Sequence, residues 1–415
     1  MSARMTLTRR GLLAAGGAVA LGAASGCSVA TPATTSSAPG PATTGRSPSP
    51  SASSSASPTP KPTPTALAFN GPHQAGIETE PALVQSFVGL DLLEPGRDAA
   101  TAALLLISDD AERLMGGRPA LGDTVPELAA QPDQLSITLG LGRTIFTRAG
   151  LASRLPRQLA PFPSFDSDRF EEPWGQTDLL LQVGANDPVT LSHTLRTLTK
   201  DLSTVAAVRW IQTGFQSNAA ETTGAHARRN LMGMVEGAHF PAPGTPEFAE
   251  VVWIDDGPDW AVGGTTLVLR RIRMLLDTWD RLDRPVQEQV IGRSMADGAL
   301  LGADASVRPY DAVDELGLPI IPMDAHVRRA RADDLAGTIM RRPYNYDAGM
   351  RDGTPDVGLL FAAYMRDPQT SFIPTQRRLD EMDAFQKWIR TIGSAVYVIP
   401  RGPSAGETLA QGAFA

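Results

Sequence analysis

The sequence predicts an α+β fold. Two observations carry the prediction: strand-like and helix-like hydrophobic periods alternate from residue 85 onward, and in the first half they fall in the order strand, helix, strand, strand, helix, strand. That order is a split βαβ unit of the ferredoxin-like kind. Residues 85–92 read as a strand and Arg97–Met115 as a helix. Leu135, Ile137, Leu139 and Leu141 alternate as in a half-buried strand, and residues 178–183 form a short apolar strand. Pro188–Leu202 reads as a helix capped near Asp187, with a strand following at 204–212. A second series places strands at 249–254 and 265–270, helices at 272–281 and 286–293, a strand at 357–365, a helix at 376–392 and a strand at 394–399. The whole is two ferredoxin-like halves with antiparallel sheets, residues 67–220 and 221–415, dividing near 216–224.

The chain of 415 residues is long enough for two ordinary domains and their cores. Its single cysteine excludes an intramolecular disulfide framework and any all-cysteine metal site. Residues 1–66 hold five of the 37 basic residues and none of the 45 acidic ones, so the remainder is strongly acidic. Such a body lacks the basic footprint that nucleic-acid binding needs.

The first 27 residues have a basic start, an apolar stretch from Leu12 to Ala24 and small residues before Cys27, the layout of an export leader. The stretch is too short and too rich in Gly and Ala to span a membrane stably. Thr8-Arg9-Arg10-Gly11-Leu12-Leu13 resembles a twin-arginine signal, whose route carries folded proteins. Ala24-Ser25-Gly26-Cys27 resembles a lipobox, with Ala24 where leucine is usual, and implies a lipid anchor on Cys27; ordinary cleavage nearby is the alternative. Between residues 28 and 66, Ser, Thr and Pro supply 27 of 39 positions, too polar a composition to offset ordering entropy. A disordered tether is expected there, with a mean reach of roughly 35 Å.

Chemistry has few places to reside. There is no Cys pair, no HExxH and no phosphate-binding glycine pattern, and His73, His193, His226, His239 and His326 are too scattered for a multi-histidine metal site. One imidazole is nevertheless enough to hold haem iron in an apolar pocket, where arginines can pair with propionates. His193 sits in a helical pattern and reads as structural, and His226 as an exposed link residue. The run Arg270-Arg271-Ile272-Arg273 reads as pairing with the abundant carboxylates. Tyr344, Tyr346, Trp210, Trp253, Trp260, Trp279 and Trp388 read as core, though aromatic side chains are also able to relay electrons.

Six strings taken together resemble the dye-decolourising peroxidases. They are Gly71-Pro72-His73-Gln74-Ala75-Gly76-Ile77, Arg229-Asn230-Leu231-Met232-Gly233, Gly263-Gly264-Thr265, Arg270-Arg271-Ile272-Arg273-Met274, Asp324-Ala325-His326-Val327-Arg328 and Arg341-Arg342-Pro343-Tyr344-Asn345-Tyr346. The likeness runs from Leu67 to Ala415 and is greatest to the exported, iron-uptake-associated, deferrochelatase-type subgroup. It implies a haem b enzyme with the cofactor between sheet and helices of the second half. His326 matches the proximal histidine that ligates haem iron, and Arg341 the distal arginine, although the segment between them is shorter than in the family.

The distal loop departs from the family. Its signature there is Gly-Phe-x-Asp-Gly-Thr, one residue, then Asn-Pro, whereas this chain reads Gly233-Met234-Val235-Glu236-Gly237-Ala238-His239-Phe240-Pro241. Glu236 thus occupies the aspartate position, and Gly237, Ala238 and His239 fall where the loop borders haem. Splitting peroxide requires moving a proton from its inner to its outer oxygen, which a carboxylate or an imidazole can shuttle while an arginine stabilises the departing charge. Glu236 and Arg341 are the expected catalytic pair; His239 is either a second shuttle or a backbone lining of the haem edge.

The expected function is therefore a haem peroxidase that reduces hydrogen peroxide and oxidises organic or ferrous-iron donors outside the cytoplasmic membrane. The rival is a haem- or iron-handling protein of an iron-uptake system, with weak or no peroxidase turnover because its distal loop is altered, partnered by an iron-uptake permease and an iron-binding protein.

Overall fold

A computed structural model describes residues 66–217, 227–236, 240–302 and 309–414. The expected leader, tether and lipobox, the boundary stretch from residue 218 to 224, His226, and Gly237, Ala238 and His239 lie outside the described residues.

The first half runs β1 (Val84–Leu92), α1 (Arg97–Met115), β2 (Ser136–Gly142), α2 (Arg143–Arg148), β3 (Leu179–Ala185), α3 (Pro188–Leu202) and β4 (Ala206–Phe215). β1 pairs antiparallel with both β3 and β4, and β3 with β2, giving the spatial order β2-β3-β1-β4. Helix α3 starts where its residues dictate. Asp187 accepts the Thr190 N–H at 3.0 Å and Pro188 occupies the first turn, where its missing N–H costs nothing.

The second half runs α4 (Pro246–Val252), β5 (Thr265–Met274), α5 (Leu276–Trp279), α6 (Arg284–Ile291), α7 (His326–Arg329), β6 (Met340–Arg341), β7 (Tyr344–Arg351), β8 (Thr354–Met365), α8 (Phe372–Met382) and β9 (Ile389–Ile399). β5 pairs with β8 and β9, and β8 with β7, so the order β7-β8-β5-β9 repeats that of the first half. The two sheets meet at both lateral edges, through Leu141↔Val398 and Gly142↔Tyr397 on one side and Phe215↔Asn345 on the other. The eight strands therefore close into a ring.

Strand alternation decides what each face buries. Phe87, Leu180, Leu267, Leu269, Leu360 and Tyr397 point into the ring and form one core shared by both halves. Val88 and Leu90 point outward onto Ala103, Leu104 and Ile107 of α1 and Leu191 and Leu198 of α3. Each such Leu, Val or Phe contributes roughly 1.5–3 kcal/mol on burial. A third cluster, Met232, Met274, Trp279, Ile291, Met295, Leu359, Phe385 and Ile389, lies beside α5 and α6.

Four expectations need correction. Residues 249–254 are not a strand: the apolar run belongs to α4, whose start is set by Thr245 accepting the Phe248 N–H at 3.2 Å and by Pro246. The predicted helix at 272–281 is only partly helical: β5 continues through a bulge at Arg271/Ile272 to Met274, and the helix is confined to the four residues of α5. The predicted helix at 376–392 stops at Met382, where Asp383 turns the chain by accepting the Phe385 N–H at 3.0 Å. β2 is buried on both faces rather than half-buried, since helices cover one face and the second sheet the other.

Candidate functional site

Three segments far apart in sequence converge on one side of the second sheet. The first is the loop that follows residue 226. Asn230 Oδ1 accepts the N–H groups of Met232 and Met234 at 3.0 and 3.2 Å, and Gly233 takes φ +82°, which closes a tight turn. The turn is held from outside by Trp279, whose Nε1–H donates to Met232 O at 3.1 Å, and by Asn345 of β7, whose Oδ1 accepts the Leu231 N–H at 3.1 Å. With its oxygen committed to the backbone, Asn230 turns its Nδ2 to Glu236 Oε1 at 2.9 Å.

Glu236 keeps a partial opening to solvent while protein surrounds the rest of its side chain. Burial pushes its carboxyl above the usual glutamate value of 4.5, against the opposing pull of the Arg341 charge, the Asn230 hydrogen bond and His326. The charges of Arg341 and His326 thus both bear on this one carboxyl.

His326 opens α7. Its Nδ1 lies 2.8 Å from Oδ2 of Asp383, a carboxylate with no exposed side-chain surface, and its ring lies 5.2 Å from that of Phe385, centroid to centroid. A carboxylate only accepts, so Nδ1 is the donating nitrogen, and in the neutral ring Nε2 then holds the lone pair. Nε2 has no hydrogen-bond partner among the described residues. This is how a metal-ligating imidazole is oriented by a carboxylate behind it.

Arg341 sits on the two-residue strand β6, which pairs with Tyr364 and Ala363 of β8. Its neighbour Arg342 is buried and anchors the segment by donating to the carbonyls of Ile77 and Thr79. Arg341 is exposed, and its guanidinium forms no hydrogen bond or ion pair with another described residue. Arg293, which it faces electrostatically, donates to Gly298 O at 2.7 Å and has no carboxylate partner among the described residues either. Burial holds the Arg293 pKa below its ordinary value, Tyr310 opposes this, and Arg341 lowers it further.

These residues fit haem. An imidazole with one nitrogen committed and the other open suits an axial ligand; Phe385, Leu359, Phe361 and Ile272 supply apolar surface beside it; two arginines without carboxylate partners suit propionates. The structure thus brings together Glu236, His326 and Arg341. The sequence reading missed Asp383, Asn230 and Arg293. Asn230 lay inside a quoted string and Arg293 inside a predicted helix. Asp383 had no local signal at all, because its role arises from a partner 57 positions away.

The other candidates are structural. His193 pairs with Asp123 at 2.9 Å with both side chains buried, and His73 stacks on Trp253 at 3.6 Å while its Nδ1 meets Gly263 O. The basic run pairs with carboxylates as expected: Arg270 with Asp168, Arg271 with Asp356 at 3.7 Å, and Arg273 with Glu171 and Asp356 at 3.2 Å.

Comparison with known proteins places this geometry in context. The family description "Dyp-type peroxidase, N-terminal" matches residues 74–216 and "Dyp-type peroxidase, C-terminal" matches 227–404. A dye-decolorizing peroxidase of Thermobifida fusca is 38% identical over 360 residues, 82% of this chain and 84% of that protein. A deferrochelatase of Yersinia pseudotuberculosis is 32% identical over 364 residues, covering 83% of each. Among solved structures, a DyP-type peroxidase from Cellulomonas bogoriensis superposes with a TM-score of 0.81 at 42% identity, over 85% of this chain and 99% of that one. DtpA from Streptomyces lividans gives 0.79 at 38% identity, over 85% and 98%.

Proposed function

The chain belongs to the Dyp-type peroxidase family and is a haem peroxidase; from that premise we propose that haem b is held by His326, that Glu236 and Arg341 act on peroxide opposite it, and that the protein works outside the cytoplasmic membrane. The observation that carries the reading is the convergence of one carboxyl, one guanidinium and one imidazole with an open Nε2. Haem, when bound, supplies the two-electron reduction of peroxide and the later acceptance of electrons from donors.

The chain's own groups do the rest. Asp383 fixes the orientation of the His326 ring through the Nδ1 hydrogen bond. Glu236 in its ionised form takes the proton from one peroxide oxygen and returns it to the other, and Asn230 holds the carboxylate in position for both transfers. The Arg341 guanidinium balances negative charge as it develops on the departing oxygen. Donors are organic molecules or ferrous iron; the relatives named deferrochelatase support the iron branch, and an iron-uptake permease and an iron-binding protein complete the proposal as its partners.

Rapid mixing of the haem-loaded protein with one equivalent of hydrogen peroxide tests the reading. The expected result is a fast shift of the Soret band to a second, persistent spectrum, slowed about 100-fold or more in Glu236→Gln at unchanged haem content. Slow bleaching without a second spectrum would instead favour haem or iron handling. Equal rates in the variant would remove Glu236 from the proton transfer.

Export and anchoring rest on Arg9-Arg10, the apolar stretch and Cys27. Replacing Arg9 and Arg10 by lysine is expected to retain the protein in the cytoplasm. Undiminished secretion, measured by fractionation, would overturn the twin-arginine route.

A further inference from the structure

A concavity of about 410 Å³ opens on the first half between α1 and the end of α3. It is lined by three carboxylates, Asp109, Asp110 and Asp201, and by the side chains of Leu105 and Leu121. Asp110 is 5% exposed, and its Oδ2 is buried with no hydrogen-bond partner. A buried carboxylate oxygen left unpartnered costs stability, and a leucine would fill the same place on α1 with gain. The fold alone therefore does not account for Asp110.

The charges around it are unbalanced. Asp201 faces it from α3 and Asp109 from α1. Arg113 is already engaged with Asp109 at 2.8 Å, and Lys200 donates to Gly122 O at 2.8 Å. Burial first, then Asp201 and Asp109, push the Asp110 carboxyl up to about 7, with Arg113 opposing. The rim is apolar, Leu105 being 53% and Leu121 79% exposed. Among the described residues no three His, Cys, Asp or Glu side chains are grouped so as to hold a metal ion. The complement of such a cavity is a cation that binds by ion pairing and carries its own apolar surface.

We propose that this cavity binds an organic ammonium ion, its charged head between Asp110 and Asp201 and its alkyl stem against Leu105 and Leu121. The site shares no residue with Glu236, His326 or Arg341, so it stands or falls separately from the peroxidase chemistry. Binding draws on the ionised form of Asp110, and raising the pH from 6 to 8 strengthens it about tenfold.

Calorimetric titration of the haem-loaded protein with n-hexylammonium chloride provides the test. Expected are saturable one-to-one binding, about tenfold tighter at pH 8 than at pH 6, and about tenfold or greater weakening in both Asp110→Asn and the more accessible Asp201→Asn. The pH dependence should vanish in Asp110→Asn. Absence of saturable binding at either pH, equal binding of 1-hexanol, indifference to both substitutions, or displacement of the amine by micromolar manganese chloride would each overturn the proposal.

Discussion

A glutamate at the position where the resemblance places an aspartate sets the carboxylate out by one methylene, and Asn230 meets it there with a hydrogen bond to Oε1 at 2.9 Å. The longer side chain is thereby fixed rather than left to swing, which matters because proton transfer is sensitive to placement at the ångström level. Burial raises the Glu236 pKa in the folded protein, so the base form is lost at a higher pH than for an exposed glutamate. The rate of reaction with peroxide is therefore expected to fall as pH is lowered through a midpoint above 4.5, and the profile should flatten in Glu236→Gln. Stopped-flow rates across pH 4–8 check this, and an unchanged profile in the variant would assign the titration elsewhere. His326, Glu236 and Arg341 could be singled out as candidates because each lies in a short string with a recognisable context. Asp383 was not, because nothing near it in sequence reveals an imidazole folded against it.

The elements whose boundaries were readable are those whose ends carry local chemistry. Helix α3 begins at Asp187-Pro188, and Asp187→Ala is expected to cost about 1 kcal/mol, measured as a lower urea midpoint at unchanged slope. A loss below a few tenths would mean that packing of Leu191 and Leu198 alone fixes the helix start. Where apolar runs lacked such punctuation the reading failed. Val251-Val252-Trp253 has the composition of a strand, yet Thr245 and Pro246 had already committed the chain to α4. β7 was missed because beyond Tyr346 its residues are exposed, so no hydrophobic alternation marks it. β5 outlasts its apolar residues because Arg271 and Arg273 find carboxylates, and Arg271 also lies 3.7 Å from the Tyr346 ring centroid. Such partners come from other strands and are invisible to a window moving along one.

At the scale of the molecule, the repeated strand order was half legible, since the first half spelled it out and the second obscured two of its elements. What no sequence pattern announced was the joining of the two sheets. Because Phe87 and Leu180 of one half pack in the same core as Leu267 and Tyr397 of the other, separating the halves would expose both inner faces. One calorimetric transition is expected for residues 66–415, with equal calorimetric and van't Hoff enthalpies, and neither half should fold when expressed alone. Two resolved transitions would show the ring to be an accessory rather than the frame. The same closure also sets an order in time. The bonds that join the sheets, Leu141 to Val398 and Phe215 to Asn345, link early-made segments to late ones. During synthesis the first sheet therefore waits with one face uncovered until the last strand arrives, and the cost of closing such long loops falls on the final step. A chain built this way is exposed to chaperones and proteases from the completion of the first sheet at Phe215 until Ile399 has been made.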